Sequence, residues 1–199
     1  MSSTESPGPF AEPERRALLE LAREAIRSRL AGEAPVLPHG LPGSIAWASL
    51  APALRAPGAA FVTLHRAGEL RGCIGSLEAR RPLAEDVAAN ARAAAFEDPR
   101  FPPLAAWELA GLSIHLAIVG PSVPLPAESE AELLATLRPG HDGLVLADGP
   151  FRATFLPAVW ESLPDPRDFL AHLKHKAGLP RDYWSPTLRF RRYSVEAIG

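Results

Sequence analysis

The hexapeptide Leu70-Arg71-Gly72-Cys73-Ile74-Gly75 carries the chain's single cysteine between two glycines. The thiolate is the form of cysteine that attacks carbon or contacts a ligand, and a nearby cation favours it. Arg71 stands two residues before Cys73, so a regular strand places both side chains on one face. One unit of depression from a pKa near 8.5 raises the thiolate share at neutral pH from about 3% to roughly 25%. Glycine inside a strand marks a bulge or a close approach of another group to the backbone. Gly72 and Gly75 are therefore expected to leave the sulfur reachable and to admit a ligand. The competing reading is a small buried residue in a tightly packed bulge, since free cysteine is among the most buried residue types.

A cysteine nucleophile needs a base, and His65 is the nearest in sequence. If Ala67-Gly68 forms the turn of a hairpin, Leu70 lies opposite His65 and Cys73 opposite Val62. The Cys73 face then holds Arg71, Val62 and Leu64, and His65 points through the sheet unless a bulge at the glycines intervenes. His115 reaches Cys73 only if its strand neighbours the hairpin with the polar faces aligned; a satisfied structural histidine is the simpler reading. Asp98 and Arg100 are expected to brace the loop after a helix, pairing with each other or with Arg71. Substrate binding is their alternative role, because arginine suits anionic groups.

Other constellations carry less. Asp168, His172 and His175 lie at i, i+4 and i+7 on one helix face, a spacing that can gather metal ligands but more commonly marks an open charged surface. The chain has no paired CxxC, HExxH or phosphate-loop pattern, so neither metal nor cofactor is expected. The run Arg189-Phe190-Arg191-Arg192-Tyr193, near Tyr183 and Trp184, mixes cations with aromatics as single-strand nucleic-acid surfaces do. A strand with one solvated arginine face accounts for it equally well, and nucleic acid is not the expected partner.

The elements that must position these residues follow from periodicity. Pro13 opens a helix with Leu18, Leu19, Ala22, Ile26 and Leu30 at helical spacing, closed by Gly32. Residues 33–58 carry five prolines and read as a long loop, with a short helix around Trp47. Residues 59–65 and 70–75 form a β-hairpin. Pro82 starts an alanine-rich helix to about Glu97, with Leu83, Val87, Ala91 and Ala94 as its core stripe. Residues 112–119 alternate, with Leu112, Ile114, Leu116 and Ile118 facing one way and Ser113 and His115 the other. Ser129 has capping-box spacing before a short helix. Strands at 143–147 and 151–155 flank Asp148-Gly149, a helix begins at Asp165-Pro166, and a last strand covers 188–197. Hairpins mixed with helices give an α+β fold with an antiparallel or mixed sheet.

At 199 residues, 47% hydrophobic and 22% charged, the chain has ordinary globular composition. A formal net charge of −2 provides no global field for nucleic acid or an anionic membrane. A lone cysteine, no signal-peptide pattern and no apolar run near the ~18 residues that span a bilayer together predict a cytoplasmic protein. Residues 1–12 read as a disordered tail, and residues 13–199 as a single domain.

Phe61-Val62-Thr63-Leu64, then Gly68, Leu70 and the hexapeptide, resemble the AMMECR1 domain family. The likeness continues through Phe96-Glu97-Asp98-Pro99-Arg100-Phe101-Pro102, Pro139-Gly140 with Gly143-Leu144, Phe155-Leu156-Pro157, Phe169-Leu170 and Lys176-Ala177-Gly178-Leu179. It spans about residues 13 to 196 in family order. The resemblance implies a globular α+β protein of two intimately packed lobes. It also implies association, in bacteria and archaea, with Memo-like and radical SAM proteins in a three-part system of undefined chemistry. The family positions carried over are Arg71, Gly72, Cys73, Gly75, Asp98 and Arg100. His115 departs from the pattern, where serine or an acidic residue is commoner near that point.

Three functions compete. The favoured one is a cysteine-dependent enzyme or enzyme subunit acting on a small anionic or carbonyl-bearing molecule. There Cys73 is the nucleophile or thiolate contact, and Arg71, Gly72, Gly75, Asp98 and Arg100 hold the substrate. The second is a non-catalytic partner of Memo-like and radical SAM proteins, with Cys73 structural. The third is an RNA-binding module. A pocket at the hairpin favours the first, an exposed apolar patch the second and a continuous positive groove the third.

Overall fold

The computed structural model describes residues 10–33 and 45–199. Most of the expected tail and residues 34–44 of the expected loop lie outside these. The chain divides into two compact units, residues 1–119 with 196–199, and residues 120–195.

The first unit is built on a sheet in the order β2-β1-β4-β9, from β1 (Pro57–Arg66), β2 (Glu69–Gly75), β4 (Leu112–Val119) and β9 (Val195–Ile198). A short β3 (Arg81–Pro82) joins the start of β1. The alternation in β4 comes out as expected: Leu112, Ile114, Leu116 and Ile118 are buried, while Ser113 and His115 are exposed. Ala60, Val62 and Leu64 of β1 share the buried face. Helices α1 (Glu12–Leu30) and α3 (Leu83–Phe96) pack on this face, and Leu50, Leu54 and Leu104 complete the core. Leu18, Leu21, Ala22, Ala25 and Ile26 are the fully buried stripe of α1, and Leu19 and Leu30 stand at its margin. The Ala11 N–H that opens α1 donates to the Glu14 carboxylate at 2.8 Å, which supplies half of a capping box. In the described part of the expected loop, the short helix anticipated around Trp47 is a 3₁₀ turn at Trp47–Ser49. One turn of α2 (Pro52–Arg55) follows it, with Pro52 at a helix start where its missing N–H costs nothing.

Alanine and glycine let α3 sit against β2. A Cβ built on Gly72 would come within 2.1 Å of the Ala94 carbonyl oxygen. At Gly75, a Cβ would meet the Phe61 ring at 2.3 Å. The close approach read from the glycines is therefore made by the protein's own helix and aromatic ring. A buried polar cluster pins the other end of α3. Asp86 accepts from Ala60 N–H at 2.9 Å, Ser76 Oγ at 2.8 Å, Arg81 Nε at 2.8 Å and Asn90 Nδ2 at 2.9 Å.

The hairpin turns at Ala67 (φ 52°) and Gly68 (φ 83°), the two positive-φ positions of a type I′ turn. Leu70 pairs with His65, as counting back from that turn requires. Beyond this pair the register shifts by one: Leu64 faces Gly72, Thr63 faces Cys73 and Val62 faces Ile74. The expected pairing of Cys73 with Val62 is thus corrected. Arg71 is the extra residue of a β-bulge, and one extra residue reverses every later side chain. Cys73 consequently shares a face with Thr63, away from Val62 and Leu64.

The second unit has a four-stranded antiparallel sheet, β5-β8-β6-β7. Its strands are β5 (Val123–Pro124), β6 (Gly143–Asp148), β7 (Phe151–Phe155) and β8 (Arg189–Tyr193). Helices α4 (Glu130–Thr136) and α5 (Pro166–Lys176) cover its core, where Trp160 stacks on Phe169 at 3.8 Å. Ser129 caps α4, accepting from Glu132 N–H. The single last strand expected over 188–197 is two strands broken at Ser194, β8 in this sheet and β9 in the other.

Replacing Gly72 by alanine should cost about 3 kcal/mol, because its Cβ meets a backbone carbonyl in a packed core and cannot be relieved by a rotamer change. The same change at Gly111, where nothing lies within 4 Å of the new Cβ, should stay within about 0.5 kcal/mol. Urea unfolding of both variants checks the contrast.

Candidate functional site

The bulge brings Cys73 into a row that crosses three strands. Cys73 on β2 is the register partner of Thr63 on β1, and Thr63 is the register partner of His115 on β4. Cys73 Sγ and Thr63 Oγ1 lie 3.4 Å apart. His65 is on the same face, and its ring meets that of His115 edge-on with centroids 5.1 Å apart. The condition for His115 is met in part. Its strand neighbours the hairpin with polar faces aligned, but β1 stands between it and Cys73. The cysteine is half-buried.

Asp98 anchors the loop after α3 to this strand. Its carboxylate is buried and accepts from Cys73 N–H at 2.8 Å, Arg100 N–H at 3.1 Å, Arg100 Nε at 3.0 Å and Arg100 Nη2 at 2.7 Å. The hydrogen bonds from the Arg100 side chain, aided by the Cys73 and Arg100 N–H groups against the cost of burial, hold its carboxyl far below the ordinary carboxylate range. Asp98 and Arg100 thus pair with each other, one of the two bracing arrangements expected from sequence. Arg100 Nη2 also reaches the Cys73 carbonyl at 3.4 Å, and its side chain remains 54% exposed. The Arg100 pKa is raised chiefly by its bonds to Asp98, with smaller contributions from the charge of Asp98 and from Cys73.

Arg71 goes elsewhere. Its Nε and Nη2 donate to the two oxygens of Glu108 at 2.8 and 3.0 Å, a bidentate pair that is only 12% and 9% exposed. Glu108 sits in the 3₁₀ turn Ala106–Gly111 and also accepts from Ala105 N–H. Its pKa falls from an ordinary 4.5 to about 2, first through the Arg71 hydrogen bonds and then the Ala105 N–H and the Arg71 charge, against the cost of burial. The cation that sequence spacing placed beside the sulfur is therefore committed to a carboxylate, and the guanidinium that bonds to the Cys73 backbone is that of Arg100. Thr63 and Glu108 were not singled out in the sequence. The bulge signal at Gly72 points to Thr63 once it is allowed to shift the register, whereas nothing local to Glu108 marks it.

The remaining candidates are dispersed. A groove of about 650 Å³ runs between α1 and β4, lined by Arg16, Glu20, Arg23, Ser113 and His115 among others; Cys73 is not among its lining residues. Asp168 and His175 are exposed on α5, and no group of three metal-ligating side chains occurs among the described residues. In the basic run, Phe190 and Tyr193 are buried in the second unit. Arg189 bonds the Pro186 and Leu188 carbonyls, and Arg191 bonds Ser122. No helix among the described residues is long and apolar enough to cross a membrane.

The Arg71–Glu108 pair should show in acid. A carboxylate whose folded pKa is depressed stabilises fully above its unfolded value and loses that contribution as pH falls through the folded one. For Glu108 the window runs from 4.5 down to about 2. Over it, wild type should lose about 3 kcal/mol relative to Glu108→Gln. Urea midpoints of both proteins across that range measure the gap, and the acid response of Asp98 cancels between them.

Comparisons with known proteins place the chain in a family. The AMMECR1 family model matches residues 19–198. A curated protein of Methanothermobacter thermautotrophicus is 35% identical over 195 residues, covering 94% of this chain and 95% of its own. One from Thermotoga maritima is 38% identical over 139 residues, covering 69% and 75%. Among solved structures, uncharacterized protein PH0010 from Pyrococcus horikoshii superposes with a TM-score of 0.80 at 30% identity, covering 94% of this chain and 92% of its own. With the match reaching from within α1 to the end of β9, the chain belongs to the AMMECR1 family.

Proposed function

We propose that the protein is a cysteine-dependent enzyme or enzyme subunit acting on a small anionic or carbonyl-bearing molecule at Cys73. The observation that carries this reading is the half-exposed Arg100 guanidinium held beside the half-buried cysteine by Asp98. Asp98 occupies one edge of the guanidinium, and the exposed remainder suits a carboxylate or phosphate. Cys73 supplies the sulfur. Addition to a carbonyl forms the sulfur–carbon bond as the carbonyl π bond breaks, and the thiol proton ends on the former carbonyl oxygen. In this reading Arg71, Gly72 and Gly75 shape the strand that presents the sulfur. Memo-like and radical SAM proteins are the proposed partners, on the strength of what the family resemblance implies.

A second reading, a non-catalytic partner of the same proteins, is favoured by one feature. Trp107 is 69% exposed, with the Arg66 guanidinium 4.4 Å from its ring centroid. A large exposed indole beside a cation is a common anchor in protein interfaces.

Alkylation separates the two. Under the enzyme reading native Cys73 reacts with iodoacetamide at neutral pH faster than a free cysteine peptide. Its preference for anionic iodoacetate over neutral iodoacetamide should drop roughly two- to five-fold in Arg100→Gln, the Boltzmann equivalent of about 0.5–1 kcal/mol for one screened charge. Native protein that reacts only after denaturant is added would rule out the nucleophile and leave the partner reading.

A further inference from the structure

Resting on that reading of Cys73, we infer that Thr63 is a positioning residue which stabilises the Cys73 thiolate by donating its hydroxyl hydrogen to Sγ. The two atoms are 3.4 Å apart, within hydrogen-bond range for sulfur, and either could be the donor. Thr63 Oγ1 has no other hydrogen bond among those found within the described residues. Its neighbours along β1, Val62 and Leu64, are fully buried on the opposite face. As a neutral thiol, Cys73 gives its weak S–H to Oγ1. On ionisation the thiol proton leaves to solvent, the hydroxyl rotates, and an O–H donor meets a full negative charge. Hydrogen bonds to an ionised acceptor are roughly twice as strong as neutral ones, so the pair favours the charged form.

The bulge is what makes this contact possible. In an unbroken hairpin the register partner of Cys73 is Val62, which has no donor to offer. With Arg71 looped out, Thr63 takes that place. Arg71 and its Glu108 pair then hold the bulge, and Asp98 fixes the Cys73 backbone from the other side through its N–H. The hydroxyl thus acts on a sulfur whose backbone is fixed on both sides.

The test is the thiol titration of the chain's single cysteine. It is followed by thiolate ultraviolet absorbance with Cys73→Ser as the blank, and in parallel by the pH dependence of iodoacetamide alkylation. Thr63→Val keeps the shape and removes the donor, and it should raise the midpoint by about 0.5–1 pH unit. Thr63→Ser keeps the donor and should leave the midpoint within about 0.2 unit of wild type. An unshifted midpoint in Thr63→Val overturns the role while native reactivity of Cys73, and so the wider reading, stands. Equal shifts in Val and Ser variants also overturn it, since packing alone would then be responsible. If native Cys73 fails to react in wild type, the wider reading falls and takes this role with it.

Discussion

The contact between Gly72 and the Ala94 carbonyl sets the geometry of the first unit. With no room for a Cβ, α3 lies directly on the backbone of β2, and the buried face of that strand is spent on the helix. Everything chemically interesting on β2 must then face the other way. The bulge at Arg71 meets this requirement, because it turns Gly72 toward the helix and Cys73 toward Thr63. A regular strand from the turn onward would have placed Cys73 against α3 and the bulky neighbour outside. The alanines of α3, which contribute little burial energy individually, permit the approach; Asp86 and Asn90 fix its position through hydrogen bonds to β1.

Charges near the cysteine come in committed pairs. Arg71 with Glu108 and Arg100 with Asp98 each join a carboxylate that is nearly inaccessible to an arginine, and each carboxylate also accepts backbone N–H groups. A buried carboxylate stays ionised only when its lone pairs are met, and removing one partner strands the other at several kcal/mol. Loss of Asp98 or Glu108 would therefore damage the fold whatever the site does, so stability changes at these positions carry no information about chemistry. The Thr63 hydroxyl differs: it can be altered while both buried carboxylates keep their partners.

Much of the architecture was legible because it follows local rules. The β4 alternation, the Ala67-Gly68 turn, the alanine helix and the Ser129 cap all rest on spacing that a sequence displays. The register of the hairpin did not, although its warning sign did. Gly72 announces a bulge, but counting from the turn gives no way to decide on which side of Cys73 the extra residue falls. One residue then changed the neighbour of the sulfur from valine to threonine and freed Arg71 to seek Glu108, which lies 37 positions away. The break at Ser194 was hidden for a different reason. Residues 188–197 keep strand propensity throughout, and only long-range pairing assigns their two halves to different sheets.

The second unit shows how to weigh the Asp98–Arg100 clamp. Asp142, fully buried, accepts from Arg138 N–H at 2.9 Å, Arg138 Nε at 3.0 Å and Arg138 Nη2 at 2.6 Å, while the arginine side chain stays 58% exposed. That is the same device: a buried carboxylate ties down a turn through a neighbouring backbone and a half-exposed guanidinium. It occurs where no cysteine accompanies it, so the clamp by itself is a way of holding a loop. What sets the first clamp apart is its target. Asp98 takes the N–H of Cys73, and Arg100 reaches the Cys73 carbonyl, so the loop is held to the chain's single cysteine. The Asp98–Arg100 pair therefore holds the Cys73 backbone in register with Thr63, and it leaves a half-exposed guanidinium beside a cysteine that has no counterpart at the Asp142 clamp.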